Sequence, residues 1–321
     1  MPQTIRYGIL SAAQIVPRFV AGVRESQKGE VVAIASRKLE TAEKMAQQLA
    51  IPQAYGSYQA LCQAPDVDIV YIANYNKGHY AAAKLALENQ KHVLLEKPFT
   101  LTLAEAEALF ALAEKNNCFI MEAQKAVFLP VIQQVKQFLA AGRLGKIQWL
   151  QAVMAFPNID HLTWFHDLAA GGGALHGSGS YPLTVMQYLT SEGIADFAGT
   201  STLTASGIDE QCNLTFQLGE KILGDIFLTV NLDLPSQLTI YGEKGSLTIP
   251  YFWKGKEAVV HYHDGKEEKI STDFSSEFVF EVNHVNDCLL AGEKLSPLMT
   301  KERTLTTVKV VETCYRQWEK K

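Results

Sequence analysis

Short, almost continuously apolar runs alternate with stretches of helical periodicity near the start of the chain. IRYGIL (5–10), VVAIAS (31–36), DIVYIA (68–73), KHVLLE (91–96) and CFIMEA (118–123) are the apolar runs. Runs of this length without polar alternation mark strands covered on both faces. Between them LETAEKMAQQLA (39–50), HYAAAKLALENQ (79–90) and LAEAEALFALAEKN (103–116) place apolar residues on one helical face. Strand and helix in alternation predict an α/β domain built on a doubly wound parallel sheet.

After residue 124 the pattern changes. PVIQQVKQFLAAGRLG (130–145) reads as a helix ending at glycine. From residue 146 come longer alternating runs: KIQWLQAVMAF, FAGTSTLTAS, QCNLTFQLG, KILGDIFLTVN, SQLTIYG and GSLTIP. Turns such as GEKGS (242–246) and DGK (264–266) punctuate them. Alternation of period two predicts a large open sheet, mostly antiparallel, with one face on a core. A helix is expected near 276–291, and an amphipathic helix, KERTLTTVKVVETCYRQWEK (301–320), closes the chain. The expected division is a first, doubly wound domain over 1–124 and an α+β domain over 125–298. The terminal helix, within 299–321, is expected to pack back on the first domain.

Composition narrows the partners. Hydrophobic residues make up 47% and charged residues 20% of the 321 residues, the profile of a globular protein. The net charge is −5 with no basic stripe, which argues against nucleic acid as a partner. No apolar run approaches the roughly 18 residues of a membrane span. The start, MPQTIRYGIL, carries no signal-peptide pattern. Five scattered cysteines without a CxxC pair read as reduced thiols of a cytoplasmic protein.

The first strand runs into GILSAAQIVPRF (8–19). A dinucleotide fold needs a tight strand-to-helix turn whose amides face a pyrophosphate at a helix N-terminus. Gly8, Ser11, Ala12, Ala13, Gln14 and Ile15 are the candidates, with Ser11 and Ala13 where close-approach glycines usually stand. An ordinary strand–helix turn is the alternative. The second strand ends in Ser36, Arg37 and Lys38 rather than in the acidic residue that accepts from ribose hydroxyls. A hydroxyl and two cations suit a 2′-phosphate. The expected cofactor is therefore NADP(H), with NAD(H) as the lesser possibility. Solvated helix-start charges are the alternative reading of Arg37 and Lys38.

Ligands of open α/β sheets sit outside the carboxyl ends of the strands. LLEKPF (94–99) brings Glu96, Lys97 and Pro98 to that edge, and ANYNKGH (73–79) brings Ala73, Asn74, Tyr75, Asn76 and His79. A lysine there favours a neighbouring tyrosinate or alkoxide. Pro98 restricts Lys97 to extended geometry and is a candidate for a cis bond. Asn74, Asn76 and His79 suit helix capping as well as ribose or nicotinamide contacts.

GILSAAQI, YIANYNKGH, KHVLLEKPF and the later GGGAL…Y together resemble the Gfo/Idh/MocA oxidoreductase family, that of glucose–fructose oxidoreductase and inositol dehydrogenase. The nearest branch is that of dimeric dihydrodiol dehydrogenases and NADP-dependent xylose dehydrogenases. The resemblance implies a Rossmann domain, then a domain whose open sheet often forms a dimer face. It implies hydride transfer to or from a sugar, polyol or cyclic alcohol, a small-molecule partner and a homodimer or higher oligomer. The family's EKP lysine falls on Lys97. Its motif GGG-x-L-x-D-x-G-x-[HY] falls on Gly171, Gly172, Gly173, Leu175, Gly177, Gly179 and Tyr181, which makes Tyr181 the acid/base. A tyrosine needs a cation to act as a base near neutral pH, and Lys97 is the candidate.

The motif's aspartate is Gly177 in this chain. His176, one residue earlier, either supplies polar contacts or a proton in its place or is a packing histidine. Upstream, NIDHLTWFHDLAAGGG (158–173) holds Asp160, His161, Trp164, His166 and Asp167. The spacings make no standard metal pair, so no metal is expected. Trp164, Phe165, His166 and His176 are instead expected to line a polar sugar pocket, with Trp164 or Phe165 stacking on a ring. Two other functions stay open: a non-catalytic NADP-binding regulator, which Gly177 favours, and an NAD-dependent glycoside hydrolase, which Ser36 and Arg37 disfavour.

Overall fold

The computed structural model describes residues 4–159 and 161–319. The chain runs β1 (Ile5–Leu10), α1 (Val16–Glu25), β2 (Gly29–Ala35), α2 (Leu39–Gln48), β3 (Gln53–Tyr55), α3 (Tyr58–Gln63), β4 (Ile69–Ile72), α4 (His79–Glu88), β5 (His92–Glu96), α5 (Leu103–Lys115) and β6 (Ile120–Ala123). These strands form one parallel sheet in the order β3-β2-β1-β4-β5-β6, the doubly wound arrangement expected from the apolar runs. All four residues of β4 are buried, as a strand covered by helices on both faces requires. The Phe19 ring of α1 stacks on Tyr71 of β4 at 3.5 Å between centroids.

Then follow α6 (Lys125–Phe128), α7 (Pro130–Ala140), β7 (Ile147–Ala155), α8 (Ala174–Ser178), α9 (Ser180–Thr190), β8 (Ile194–Leu203), β9 (Asp209–Leu218), β10 (Ile222–Thr229), β11 (Gln237–Gly242), β12 (Gly245–Pro250), β13 (Glu257–Tyr262), β14 (Glu267–Ser271), α10 (Val279–Leu290) and α11 (Lys301–Trp318). The second sheet has eight strands in the order β14-β13-β12-β11-β7-β10-β9-β8. Only its β7–β10 pair is parallel. On β7, Leu150, Ala152 and Met154 are buried while Trp149, Gln151, Val153 and Ala155 are half-buried on the opposite face. One face of this sheet is thus core and the other is open. No helix among the described residues is long and apolar enough to cross a membrane.

The chain separates into two compact units, 1–125 with 276–304 and 126–275 with 305–321. This reverses the expected allegiance of the last two helices. α10 belongs to the first unit: Phe278, just before it, packs so closely on α1 that a Cβ on Gly22 would lie 2.5 Å from the Phe278 Cβ. Asn286 of α10 accepts from the Tyr7 hydroxyl at 2.7 Å. Most of α11 belongs to the second unit, where Trp318 Nε1 donates to Gly199 O at 3.0 Å and Tyr315 reaches Asp209. An amphipathic pattern says that a helix has a buried face but not which core receives it.

Candidate functional site

In the first unit a strand-to-helix turn starts at the end of β1. Ser11 has φ +104°, a backbone angle normally left to glycine. Two bonds hold it there: its amide donates to Ala35 O at 2.9 Å and its hydroxyl to Ala73 O at 2.8 Å. The ends of β1, β2 and β4 are therefore tied together at one serine. Gly8 lies within β1, where a Cβ would meet Val67 at 2.9 Å. After Ser11 the chain enters α1 without a side-chain cap. The amides of Ala12, Ala13, Gln14 and Ile15 meet no acceptor among the described residues. Uncapped amides at a helix N-terminus are the donor set a pyrophosphate requires. At the end of β2, Ser36 is half-buried while Arg37 and Lys38 are exposed and in no ion pair among the described residues. That donor set suits a 2′-phosphate.

The β4–α4 turn and the end of β5 are bolted together by His79. This ring is 1% exposed; Nδ1 lies 2.7 Å from Pro98 O and Nε2 lies 3.1 Å from Asn74 O. Burial holds its pKa below the usual histidine range, and its two ring nitrogens face the two carbonyls. His79 thus supports the turn from beneath. The Asn74 side-chain oxygen is buried without a partner among the described residues. Asn76 opens a short 3-10 turn into α4 and is buried, while Tyr75 is exposed. The Lys97–Pro98 bond is cis.

Glu96 accepts from the Tyr71 hydroxyl at 2.7 Å and from the Lys97 amide at 3.2 Å. Burial lowers the Lys97 pKa, opposed by the charges of Glu96 and Glu122. Three further charged groups, which the sequence did not single out, lie in this region. Glu122 of β6 is 1% exposed and accepts from Gln124 at 3.2 Å and Thr304 at 3.0 Å. Burial pushes its pKa up to about 7. Lys125, buried with its ammonium 5.3 Å from the Phe278 ring centre, is brought down to about 8 by burial. Glu281 of α10 is fully buried, its oxygens without hydrogen bonds among the described residues, and burial raises its pKa well above the usual carboxylate range. The sequence signal for Glu122 and Lys125 was a Glu inside the apolar run of β6 and a Lys two residues after it, in MEAQK.

In the second unit the glycine-rich segment is folded against what precedes it. The amide of Gly173 donates to Phe165 O at 3.1 Å and that of Gly172 to Asp167 O at 2.9 Å. Trp164, Phe165 and His166 are thereby fixed beside the glycines. Trp164 is half-buried, Phe165 is 4% exposed and His166 is exposed. His161 and Asp167 are exposed, and Asp160 lies outside the described residues. His176 is 6% exposed; its ring stacks on Tyr315 at 3.9 Å and its Nδ1 bonds Gly172 O at 3.0 Å. Burial lowers its pKa to about 4, so the ring is neutral at physiological pH. A Cβ on Gly177 would meet only Trp164, at 3.8 Å. Tyr181 stands in the first turn of α9, 8% exposed.

Two family descriptions match the chain. Residues 5–124 match the "Oxidoreductase family, NAD-binding Rossmann fold", and residues 132–248 match the "GFO/IDH/MocA C-terminal domain". The chain is 32% identical over 308 residues to a trans-1,2-dihydrobenzene-1,2-diol dehydrogenase of Xenopus tropicalis, covering 92% of each chain. It is 29% identical over 320 residues to that of Mus musculus, covering 96% of this chain and 95% of the mouse protein. Among solved structures it resembles an aldose–aldose oxidoreductase of Caulobacter crescentus, with TM-score 0.89 and 22% identity over 99% of this chain and 98% of the other. It also resembles a 3-ketoreductase of Actinomadura kijaniata in complex with NADP and TDP-benzene, with TM-score 0.88, 24% identity and 97% of each chain covered. With both halves matched and the Rossmann strand order in place, the chain belongs to the GFO/IDH/MocA oxidoreductase family.

Proposed function

We propose that this NAD(P)-dependent dehydrogenase prefers NADP(H) and moves a hydride between nicotinamide and a sugar, polyol or related cyclic alcohol, or its carbonyl form. The observation that carries the reading is the turn at 11–15, with its uncapped amides, beside the exposed Arg37 and Lys38. Those amides hold the pyrophosphate, and Ser36, Arg37 and Lys38 hold the 2′-phosphate. Ala73, Asn74, Tyr75, Asn76, His79, Glu96 and Pro98 shape the ribose and nicotinamide end. The nicotinamide, when bound, supplies or accepts the hydride.

Tyr181 gives its phenolic proton to the carbonyl oxygen in reduction and takes the hydroxyl proton in oxidation. The Lys97 ammonium favours negative charge on the tyrosine and substrate oxygens. The charges of Glu96 and Glu122 oppose the lowering of the Lys97 pKa by burial. Trp164, edge-on to Phe165 with ring centres 6.2 Å apart, offers an aromatic surface, His166 a polar edge, and His176 a neutral ring. The open face of the second sheet, where Trp149 stacks on Tyr241 at 4.8 Å and Leu223 is 61% exposed, pairs two copies into a dimer. Five free, buried cysteines suit a reducing cytoplasm.

The test is turnover of trans-1,2-dihydrobenzene-1,2-diol and of D-xylose with NADP+. Tyr181→Phe and Lys97→Met should each lower kcat by roughly 10²–10⁴-fold, the usual worth of general acid–base catalysis. Tight NADPH binding with no turnover on a broad carbonyl and polyol panel would replace this reading with a cofactor-binding regulator. The room left at Gly177, where the resemblance places a carboxylate, favours that second reading.

A further inference from the structure

The short helix α8, which leads into the helix α9 that carries Tyr181, begins without a cap of its own. The residue before α8 is Gly173, with φ +103° and ψ 159° and no side chain to accept from the first-turn amides. Such amides have no acceptor within the helix and need one from elsewhere. Two residues distant in sequence provide it. The Leu175 amide donates to Asp209 Oδ2 at 2.8 Å, and the His176 amide donates to the Tyr315 hydroxyl at 3.2 Å. The Tyr315 hydroxyl in turn donates to Asp209 Oδ1 at 2.6 Å. A hydroxyl has one proton, and this short bond to a carboxylate takes it.

We propose that Asp209 and Tyr315 are positioning residues for catalysis: they clamp the entry of the α8–α9 helical segment and so set the place of Tyr181. The proposal rests on the reading of Tyr181 as the acid/base.

Three features support it. First, the clamp is specific to this backbone. A Cβ on Gly173 would overlap Asp209 Oδ1 and lie 2.5 Å from the Tyr315 hydroxyl. Second, the clamped end is mechanically continuous with Tyr181. Gly177 N bonds Gly173 O at 2.9 Å, Gly179 N bonds Leu175 O at 2.8 Å, and Leu183 N bonds Gly179 O at 3.3 Å. The helical ladder therefore passes through Gly179, and a shift at Leu175 is handed on to Tyr181 about 9 Å away along the axis. Third, both clamp residues sit on rigid elements. Asp209 opens β9 after a tight turn in which Thr204 N bonds Ile208 O at 2.8 Å. Tyr315 sits on α11, its ring edge-on to Trp318 at 5.2 Å, with Trp318 pinned to β8 through Gly199 O.

A fully buried carboxylate forming no ion pair among the described residues is a costly way to cap one short helix. A side-chain cap at position 173 would serve stability alone. The remote cap fixes strand, terminal helix and glycine segment to one another, which is what a catalytic helix requires.

The test uses the full chain with Tyr315→Phe, which keeps the ring stacking and removes the hydroxyl, and with Asp209→Asn. Hydrogen exchange over peptides covering 172–183 is read by mass spectrometry, and kcat and KM are read with NADP+ and trans-1,2-dihydrobenzene-1,2-diol. The expected result is faster exchange confined to 174–181 and a fall in kcat of about 10–100-fold, as for a displaced catalytic group. KM for NADP+ should stay within about twofold, and the double variant should cost no more than the worse single one, as for one shared unit. Unchanged exchange in the segment overturns the clamp. Faster exchange with unchanged kcat overturns its role in positioning. Exchange that rises throughout the second unit, with kcat and KM for NADP+ changing together, reduces both residues to ordinary structure. Should Tyr181→Phe keep full kcat, it is the acid/base reading that falls, and the exchange result still judges the clamp.

Discussion

Replacing Gly173 with alanine should damage the second unit far more than one methyl group suggests. At φ +103° an alanine is strained by about 1–3 kcal/mol. Its Cβ would overlap Asp209 Oδ1, a fully buried atom, so the carboxylate must move. Moving it stretches the bonds from Leu175 N and Tyr315 Oη, and hydrogen bonds to a charged group are worth roughly 1.5–3 kcal/mol each. Partial relaxation leaves a total on the order of 3–6 kcal/mol, a large share of the roughly 5–15 kcal/mol that holds a folded domain. All four tryptophans, Trp149, Trp164, Trp253 and Trp318, lie in the second unit. Tryptophan emission during urea unfolding therefore reports this unit, without the two-state assumption having to hold for the whole chain. A shift below about 1 kcal/mol would show that the glycine is not held against the carboxylate, and the reasoning would fail.

Glu122→Gln should alter the pH dependence of stability. The folded carboxyl titrates near 7, above its unfolded value, so wild-type stability falls as pH rises from about 4.5 to 7. Calorimetry should show the variant gaining on wild type between pH 5 and pH 8 by on the order of 2–3 kcal/mol; parallel pH profiles would contradict the assignment. Leu223→Lys, on the open face of the second sheet, should turn a dimer into a monomer in light scattering without changing the unfolding midpoint of the monomer. A wild-type monomer would remove that interface.

The parallel sheet was legible because strands covered on both faces leave continuous apolar runs, as IVYI in β4 shows. The edge strands were harder. EEKIS in β14, at the edge, and EAVVHY in β13, next to it, carry charges that disguise them as loop. β3 and α3 are too short to show a period. The glycine-rich segment was legible as a place where backbone must come close, but what it approaches was not. Asp209 follows the turn residues of TASGI and looks like a turn residue itself, yet it is fully buried. Its partner Tyr315 comes from a helix whose periodicity was plain and whose destination was not. Lys97 and Tyr181 were singled out by motifs, whereas Glu122 and Lys125 meet Glu281 only when two distant segments fold together.

Selectivity of the dinucleotide site for the 2′-phosphate is tested by a fluorescence titration with NADPH and with NADH. NADPH should bind more tightly. Arg37→Ala should weaken NADPH by about 10–100-fold, the loss of one charge-assisted phosphate contact, while changing NADH by less than about twofold. Equal affinities, or tighter NADH, would contradict the roles given to Ser36, Arg37 and Lys38. Failure to bind either nucleotide would contradict the reading of the turn from Ser11 to Ile15 as a phosphate cradle.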